Sequence, residues 1–355
     1  MKILLLSDAN SIHTQKWVES LNSQGVDIQL FSLFKPSKIT QRKFYKNKIK
    51  VVSANLESEI KDLRNPNLSK LRYFKSLLIV KKMIKIFSPD IVHAHYASSY
   101  GVLGYLSNFR PFVLSVWGSD ISYFPYKNKF NKILMKLVLR NCDRLCSTSN
   151  YMKKIIEKEY GVYDVDIIPF GVDVEVFQPR LNERKSFNVG TIKSIEDHNG
   201  VDCLIEAAKI ITHDHKKEIN FLIVGDGSLM NKMQQKANEL NLSNNVNFAG
   251  FIDHKNIIDQ YKKLSIFVVA SERESFGVSV LEAAACEIPT ITTGIGGLTE
   301  VNVHNSTGLI IKENSPIELA NSILHLYENK ELRKNLGKNG RKRVPGFLPM
   351  KLSFG

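Results

Sequence analysis

Two series of five short apolar runs, separated by helix-periodic stretches, constrain this chain more than any other feature. The first series predicts strands at Ile3–Leu6, Asp27–Leu33, Ile91–Ala94, Phe112–Val116 and Arg144–Ser147. Helical stretches such as Thr14–Gln24 and Leu71–Phe87 lie between them. The second series predicts strands at Phe187–Val189, Asn220–Val224, Val246–Ala249, Ile266–Ala270 and Thr290–Thr292. Strands that alternate with helices give an open, mostly parallel sheet covered on both faces. A chain of 355 residues is too long for one comfortable core. The expectation is an α/β protein of two doubly wound, Rossmann-like domains facing across a cleft. The first spans residues 1–168 and the second residues 185–335. Residues 169–184, rich in proline and charge, form the linker, and residues 336–355 form a short tail in which Pro345, Gly346 and Pro349 break any helix. In such sheets ligands bind beyond the carboxyl ends of the strands.

Residues 271–290 carry the most chemistry. The run Ile266–Ala270 ends in a polar turn, Ser271–Ser275. From Gly277 onward Val278, Val280, Leu281 and Ala283–Ala285 read as a helix that Pro289 terminates. Glu274 then sits on the loop and Glu282 about one and a half turns into the helix. The helix N-terminus between them offers unpaired N–H groups and partial positive charge to a phosphate. At about 1.5 Å per residue the two carboxylates stand on the order of 10 Å apart, the span of a diphosphate with a sugar at each end. The same spacing also fits a surface loop glutamate and a solvated helix glutamate.

The formal charge is +14 and it is unevenly spread. Residues 1–170 hold 27 Lys and Arg against 13 Asp and Glu, whereas residues 171–355 hold 22 of each. The first half is expected to meet an anionic partner. Lys35, Lys38, Arg42, Lys43, Lys46, Lys48 and Lys50 form one cationic stretch, read as at least partly a surface loop. Phe130, Ile133, Leu134, Leu137 and Val138 form a helical apolar stripe beside Lys129, Lys132, Lys136 and Arg140. That pattern fits a helix on an anionic membrane surface, or a core-facing helix with a solvated basic face. Nucleic acid is not expected, because no recognisable binding module is present. Cys142, Cys146, Cys203 and Cys286 match no metal spacing and no disulfide framework, which points to a reducing cytoplasm. No window holds the roughly 20 apolar residues of a membrane span, so any membrane contact is peripheral.

Other loops have two readings each. Gly225-Asp226-Gly227 follows a strand, where glycines let the backbone approach a ligand, but the last glycine of a dinucleotide fingerprint is missing. The loop Ser7–Thr14 puts His13 near a ligand, or Ser11 or Thr14 simply caps the helix. His93 and His95 share a strand face, as a structural pair or as two metal ligands without an evident third.

Taken together, these segments resemble the family 4 retaining glycosyltransferases of GT-B fold, and the resemblance covers most of the chain. It rests on Ser271, Glu274, Phe276, Gly277, Glu282, Ala283 and Pro289, on the string Ile168–Pro179, and on Thr293–Glu300 with its Gly-Gly-x-x-Glu ending. It implies a donor site made by Gly190, His198, Gly225, Asp226, Ser275, Phe276, Gly277 and Glu282, with Gly250-Phe251 near the base. It implies catalytic parts for Glu274, Lys193 and Asp120, and acceptor-side parts for His13, His95 and Trp117. Two departures stand out. Lys193 takes a position usually held by arginine, and the partner lysine position falls on His198 or Asn199. Trp117 stands where the family has the histidine of His-Gly-x-Asp, so that role is vacant or passes to Asp120 or His95. The implied function is transfer of a sugar from a nucleotide diphosphate sugar to a glycan or polyprenyl-diphosphate-linked acceptor, in the cytoplasm or at the inner face of the membrane. No metal and no cofactor beyond the donor is implied. A non-catalytic sugar-nucleotide-binding or scaffold protein of the same fold is the alternative.

Overall fold

The apolar runs become strands because both of their faces are buried. Leu4, Leu5 and Leu6 are all fully enclosed. Alternation then divides them, with Leu4 and Leu6 on one side of the sheet and Ile3 and Leu5 on the other. The computed structural model describes residues 1–56, 66–180, 186–312 and 314–347. The chain divides into two units, Met1–Ile168 and Pro169–Gly355.

Unit 1 runs β1 (Lys2–Leu6), α1 (Ile12–Ser23), β2 (Asp27–Phe34), α2 (Lys38–Lys46), β3 (Lys50–Leu56), α3 (Pro66–Phe87), β4 (Ile91–His95), α4 (Val102–Ser107), β5 (Phe112–Val116), α5 (Ser119–Ser122), α6 (Lys129–Arg140), β6 (Arg144–Ser147), α7 (Asn150–Tyr160) and β7 (Val165–Ile167). The strands form one sheet in the order β3-β2-β1-β4-β5-β6-β7, and every pairing is parallel. The order reverses between β1 and β4, so the loops after these two strands diverge there and leave a place for a ligand.

Unit 2 repeats the plan. It runs β8 (Asn188–Ile192), α8 (Val201–Lys209), β9 (Asn220–Val224), α9 (Met230–Glu239), β10 (Val246–Gly250), α10 (Ile257–Lys263), β11 (Ile266–Val269), α11 (Val278–Ala285), β12 (Thr290–Thr293), α12 (Leu298–Val301), β13 (Gly308–Ile311), α13 (Pro316–Glu328) and α14 (Lys330–Arg343). Its strand order is β10-β9-β8-β11-β12-β13, with the reversal between β8 and β11.

Several expectations are corrected. Strands β3, β7 and β13 were not predicted. β3 is cationic at its start, β7 is three residues long, and β13 follows a loop of polar residues. The cationic stretch of residues 35–50 is loop only at residues 35–37 and 47–49. It folds as α2, capped by the Ser37 hydroxyl accepting from the Thr40 N–H, with Phe44 buried. The second domain does not end at residue 335. α14 continues to Arg343 and gives way to a 3-10 turn at Val344–Phe347. Its two glycines are there for contact. A Cβ on Gly337 would overlap the Glu287 carbonyl, and one on Gly340 would lie 3.3 Å from the Ala284 Cβ. α14 therefore packs directly on α11. Arg341 donates to the carbonyls of Phe177 at 2.9 Å, Val174 at 3.4 Å and Ala285. Those bonds fasten part of the predicted linker to unit 2; the linker's residues 181–184 lie outside the described residues, as does the tail from 348 onward.

Candidate active site

In unit 2 the site assembles where β8 and β11 diverge. Lys193 directly follows β8, and the polar turn 271–277 follows β11. The Lys193 ammonium donates to the Glu274 carboxylate at 2.6 Å and to the Ser271 hydroxyl at 2.9 Å. Both partners of this ion pair are largely shielded, with side chains 11% and 21% exposed. The other Glu274 oxygen accepts from the Ser275 N–H at 3.1 Å. The turn is held from below: the Gly297 N–H donates to the Glu274 carbonyl at 3.0 Å. A Cβ at Gly297 would overlap Ser275 and Phe276, and Gly296 stands at φ +51°, a conformation that suits glycine. Phe276 is buried against Phe170, with ring centroids 6.4 Å apart. Gly277 precedes α11 at φ +103°, a conformation that suits glycine. α11 begins four residues after Glu274.

Glu282 is not a solvated helix residue. It is buried in α11, and both of its oxygens are engaged. The Tyr261 hydroxyl donates to one at 2.9 Å, and His254 Nε2 lies 3.2 Å from the other. Burial first, and the neighbouring Glu282 charge second, push the Tyr261 phenol well above its ordinary range, so it stays a donor. A carboxylate accepts at about four lone-pair positions, so Glu282 retains acceptor capacity. Sequence reasoning missed Tyr261 and His254. They lie 21 and 28 residues from Glu282, and no local pattern links them to it.

The remaining donor-side residues have mixed placements. At Gly225 and Gly227 the protein itself fills the space that a side chain would take. A Cβ on either would overlap the backbone of Lys193 or Ile195, so these glycines let two loops pack and thereby set the course of the Lys193 loop. Asp226 accepts from the Gly227 N–H at 2.7 Å, and its own carbonyl accepts from the Ile195 N–H at 3.0 Å. Gly190 lies inside β8, where a Cβ would overlap the Leu222 carbonyl of β9; it is a packing glycine. His198 lies in a 3-10 turn, and its carbonyl accepts from the Glu272 N–H at 2.9 Å. Phe251 follows Gly250 and is 78% exposed.

Unit 1 gathers a second cluster where β1 and β4 diverge. His95 is fully buried. Its Nδ1 lies 3.1 Å from the Ser7 hydroxyl, which is 2.7 Å from the Thr14 hydroxyl. Thr14 thus serves this network, and the Ser11 side chain makes no cap bond. His93 Nε2 pairs with the Ser115 hydroxyl at 2.8 Å. The rings pack closely: His93–His95 4.7 Å, His95–Trp117 4.7 Å, Trp17–His95 5.4 Å and His13–Trp117 5.9 Å between centroids. His95 Nε2 is buried without a hydrogen-bond partner among the described residues. Burial drives the His93 imidazolium down to about 4. Burial, with His93 and His13 adding to it, holds His95 well below the ordinary range. Both rings are therefore neutral at pH 7.

Asp120 is fully buried and serves the backbone. It accepts from the N–H groups of Ala97 at 2.8 Å, Gly118 at 2.7 Å and Trp117 at 3.2 Å. Burial pushes the pKa of its carboxyl above the usual carboxylate range, against those hydrogen bonds. Its evident part is to hold the turn that carries Trp117. Among the described residues no group of three or more His, Cys, Asp or Glu is placed to hold a metal, and no helix is long and apolar enough to cross a membrane.

The two doubly wound units, each with its polar cluster at the strand-order reversal, define the class: Rossmann-like domains of the GT-B kind. Comparison with known proteins gives the family. Residues 173–343 match the model of glycosyl transferases group 1, and residues 2–149 match that of glycosyl transferase 4-like proteins. An uncharacterized glycosyltransferase of Methanocaldococcus jannaschii is 31% identical over 78% of this chain and 77% of its own length. The chain belongs to the group 1 glycosyltransferases. A UDP-Gal:α-D-GlcNAc-diphosphoundecaprenol α-1,3-galactosyltransferase of Escherichia coli is 28% identical over 78% of this chain and 76% of its own. Among solved structures, Anabaena HepE in complex with UDP superposes with a TM-score of 0.80 at 18% identity, covering 98% of this chain and 96% of that one.

Proposed function

We propose that the protein is a retaining glycosyltransferase. It moves a sugar from a nucleotide diphosphate sugar, held by unit 2, to a glycan or polyprenyl-diphosphate-linked acceptor, bound through unit 1, in cell-surface polysaccharide, O-antigen or capsule assembly in the cytoplasm. One observation carries this reading: the shielded Lys193–Glu274 pair at the β8/β11 divergence, with the N-terminus of α11 following it. The sugar C1–O bond to the diphosphate breaks as the acceptor oxygen bonds to C1, and the acceptor's proton passes to the departing phosphate. Charge growing on that phosphate is met by Lys193 and by backbone N–H groups already in place. Glu274 holds hydroxyls of the transferred sugar and Glu282 those of the ribose. The Escherichia coli relative is named for this type of donor and a lipid-diphosphate acceptor, and the Anabaena structure holds UDP.

A panel of nucleotide diphosphates and their sugars, followed by ligand-observed NMR and thermal shift, tests the donor. Binding by one nucleotide diphosphate, with product of unchanged anomeric configuration, is the expected outcome. No binding across the panel removes the donor assignment, and inversion at C1 removes retention.

Tyr261 tests the Glu282 assignment. Tyr261→Phe removes one hydrogen bond to a charged group, worth about 1.5–3 kcal/mol. Donor KM is expected to rise roughly tenfold or more with kcat little changed. A fall in kcat at constant KM would instead place Glu282 at the reacting sugar.

A further inference from the structure

Unit 1 is unusual in what it leaves exposed. Among the described residues, fourteen of the eighteen large exposed hydrophobic side chains precede residue 169. The whole formal excess of positive charge also falls in residues 1–170. The two asymmetries coincide on α6. Met135, Val138 and Leu139 of this helix are buried in the core, whereas Phe130, Ile133 and Leu137 are 72%, 60% and 46% exposed. The apolar stripe read in the sequence is therefore two stripes, one used for folding and one left over. At about 100° per residue, Phe130, Ile133 and Leu137 fall within an arc of about 60°. Lys129, Lys132, Lys136 and Arg140 occupy the adjoining arc of about 80°, and all four are exposed. The turn ahead of α6 adds Tyr123 and Tyr126, both exposed. Lys127 lies 4.9 Å from the Tyr123 ring centre and Lys132 lies 5.7 Å from that of Tyr126.

We propose that α6 docks unit 1 on an anionic lipid bilayer, with Phe130, Ile133 and Leu137 entering the acyl boundary and Lys129, Lys136 and Arg140 meeting lipid phosphates. Charge alone would fit any polyanion. An apolar ridge edged by cations on one side fits an interface that is apolar below and anionic above. Lysine stems also lie along apolar surface while their ammonium groups reach outward. Lys132 is already paired with Glu159 at 2.7 Å, so the attraction falls mainly on the other three cations. This deepens the functional reading above by naming the surface on which unit 1 works, but it stands on unit 1 alone.

Co-sedimentation tests it with the full chain and vesicles of phosphatidylcholine, mixed with phosphatidylglycerol in rising proportion. Binding is expected to rise with phosphatidylglycerol and to weaken with salt. The variant with Lys129, Lys132, Lys136 and Arg140 all changed to Gln is expected to lose about a hundredfold in affinity for anionic vesicles. Phe130→Ser with Ile133→Ser and Leu137→Ser is expected to leave only weak binding that salt removes completely. Phe130→Trp keeps the surface apolar, and its emission is expected to be quenched by brominated acyl chains. Equal binding to pure phosphatidylcholine, no binding to anionic vesicles, or no quenching overturns the proposal. Tighter binding to duplex DNA or RNA than to anionic vesicles at the same salt also overturns it and assigns the face to nucleic acid. Nucleotide diphosphate affinity, measured on the same proteins, is expected to be unchanged by the α6 substitutions. If wild type binds vesicles but no nucleotide diphosphate, the transferase reading fails and the docking surface stands.

Discussion

Replacing Glu274 by glutamine is expected to lower turnover about 10²–10³-fold, the cost of removing one preorganised charged group from a reacting centre. Nucleotide diphosphate affinity should meanwhile stay level or improve. The reason is the 2.6 Å contact with Lys193. Without ligand, Glu274 occupies the cation that the diphosphate needs, so binding has to exchange one anion for another. Glutamine releases that cation. Lys193→Ala should act in the opposite sense, weakening the nucleotide diphosphate far more than the nucleoside, and Lys193→Arg should restore binding through the guanidinium fork. Isothermal titration with nucleotide diphosphate, set beside single-turnover rates, separates these effects. If Glu274→Gln binds the diphosphate more weakly than wild type, Glu274 is not a competitor for Lys193. If Lys193→Ala leaves diphosphate affinity unchanged, the phosphate site lies elsewhere.

The histidine cluster of unit 1 is expected to make its stability fall steeply in mild acid. In the folded chain His93 holds no proton until about pH 4, whereas an unfolded histidine takes one up near pH 6.5. Between these values the unfolded chain binds more protons, so stability rises with pH there and is lost as pH falls through the same window. The His93 contribution is on the order of 3 kcal/mol, and His95, shifted in the same direction, adds to it. The chain's two tryptophans, Trp17 and Trp117, both pack on this cluster. Tryptophan fluorescence during urea unfolding therefore reports unit 1 separately from unit 2. His93→Gln should flatten much of the slope between about pH 6.5 and pH 4. A wild-type profile that is flat across that window would show that the buried rings find protons, or partners, when folded.

The sequence alone determined the two α/β series and the loop-and-helix placement of Glu274 and Glu282, though it ended β8 at Val189 rather than Ile192. These rest on local physics: strands buried on both faces read as unbroken apolar runs, and helix starts and stops are set by residues a few positions apart. It also determined the charge asymmetry, which is a matter of counting. Tertiary structure decided what each of these residues touches. Gly190, Gly225 and Gly227 resemble ligand-facing glycines in sequence, yet a Cβ on each would strike backbone of a neighbouring strand or loop. A requirement of that kind appears only once β9 lies beside β8. Asp120 reads as a proton-transfer group until three backbone N–H groups are found on it. The stripe on α6 reads as one face until the core takes Met135, Val138 and Leu139 and leaves Phe130, Ile133 and Leu137 outside. The Lys193–Glu274 pair joins residues 81 positions apart, and Tyr261 and His254 reach Glu282 from before β11. The parallel sheet brings these groups together because every strand ends at the same edge, and the reversal of strand order opens that edge at one place.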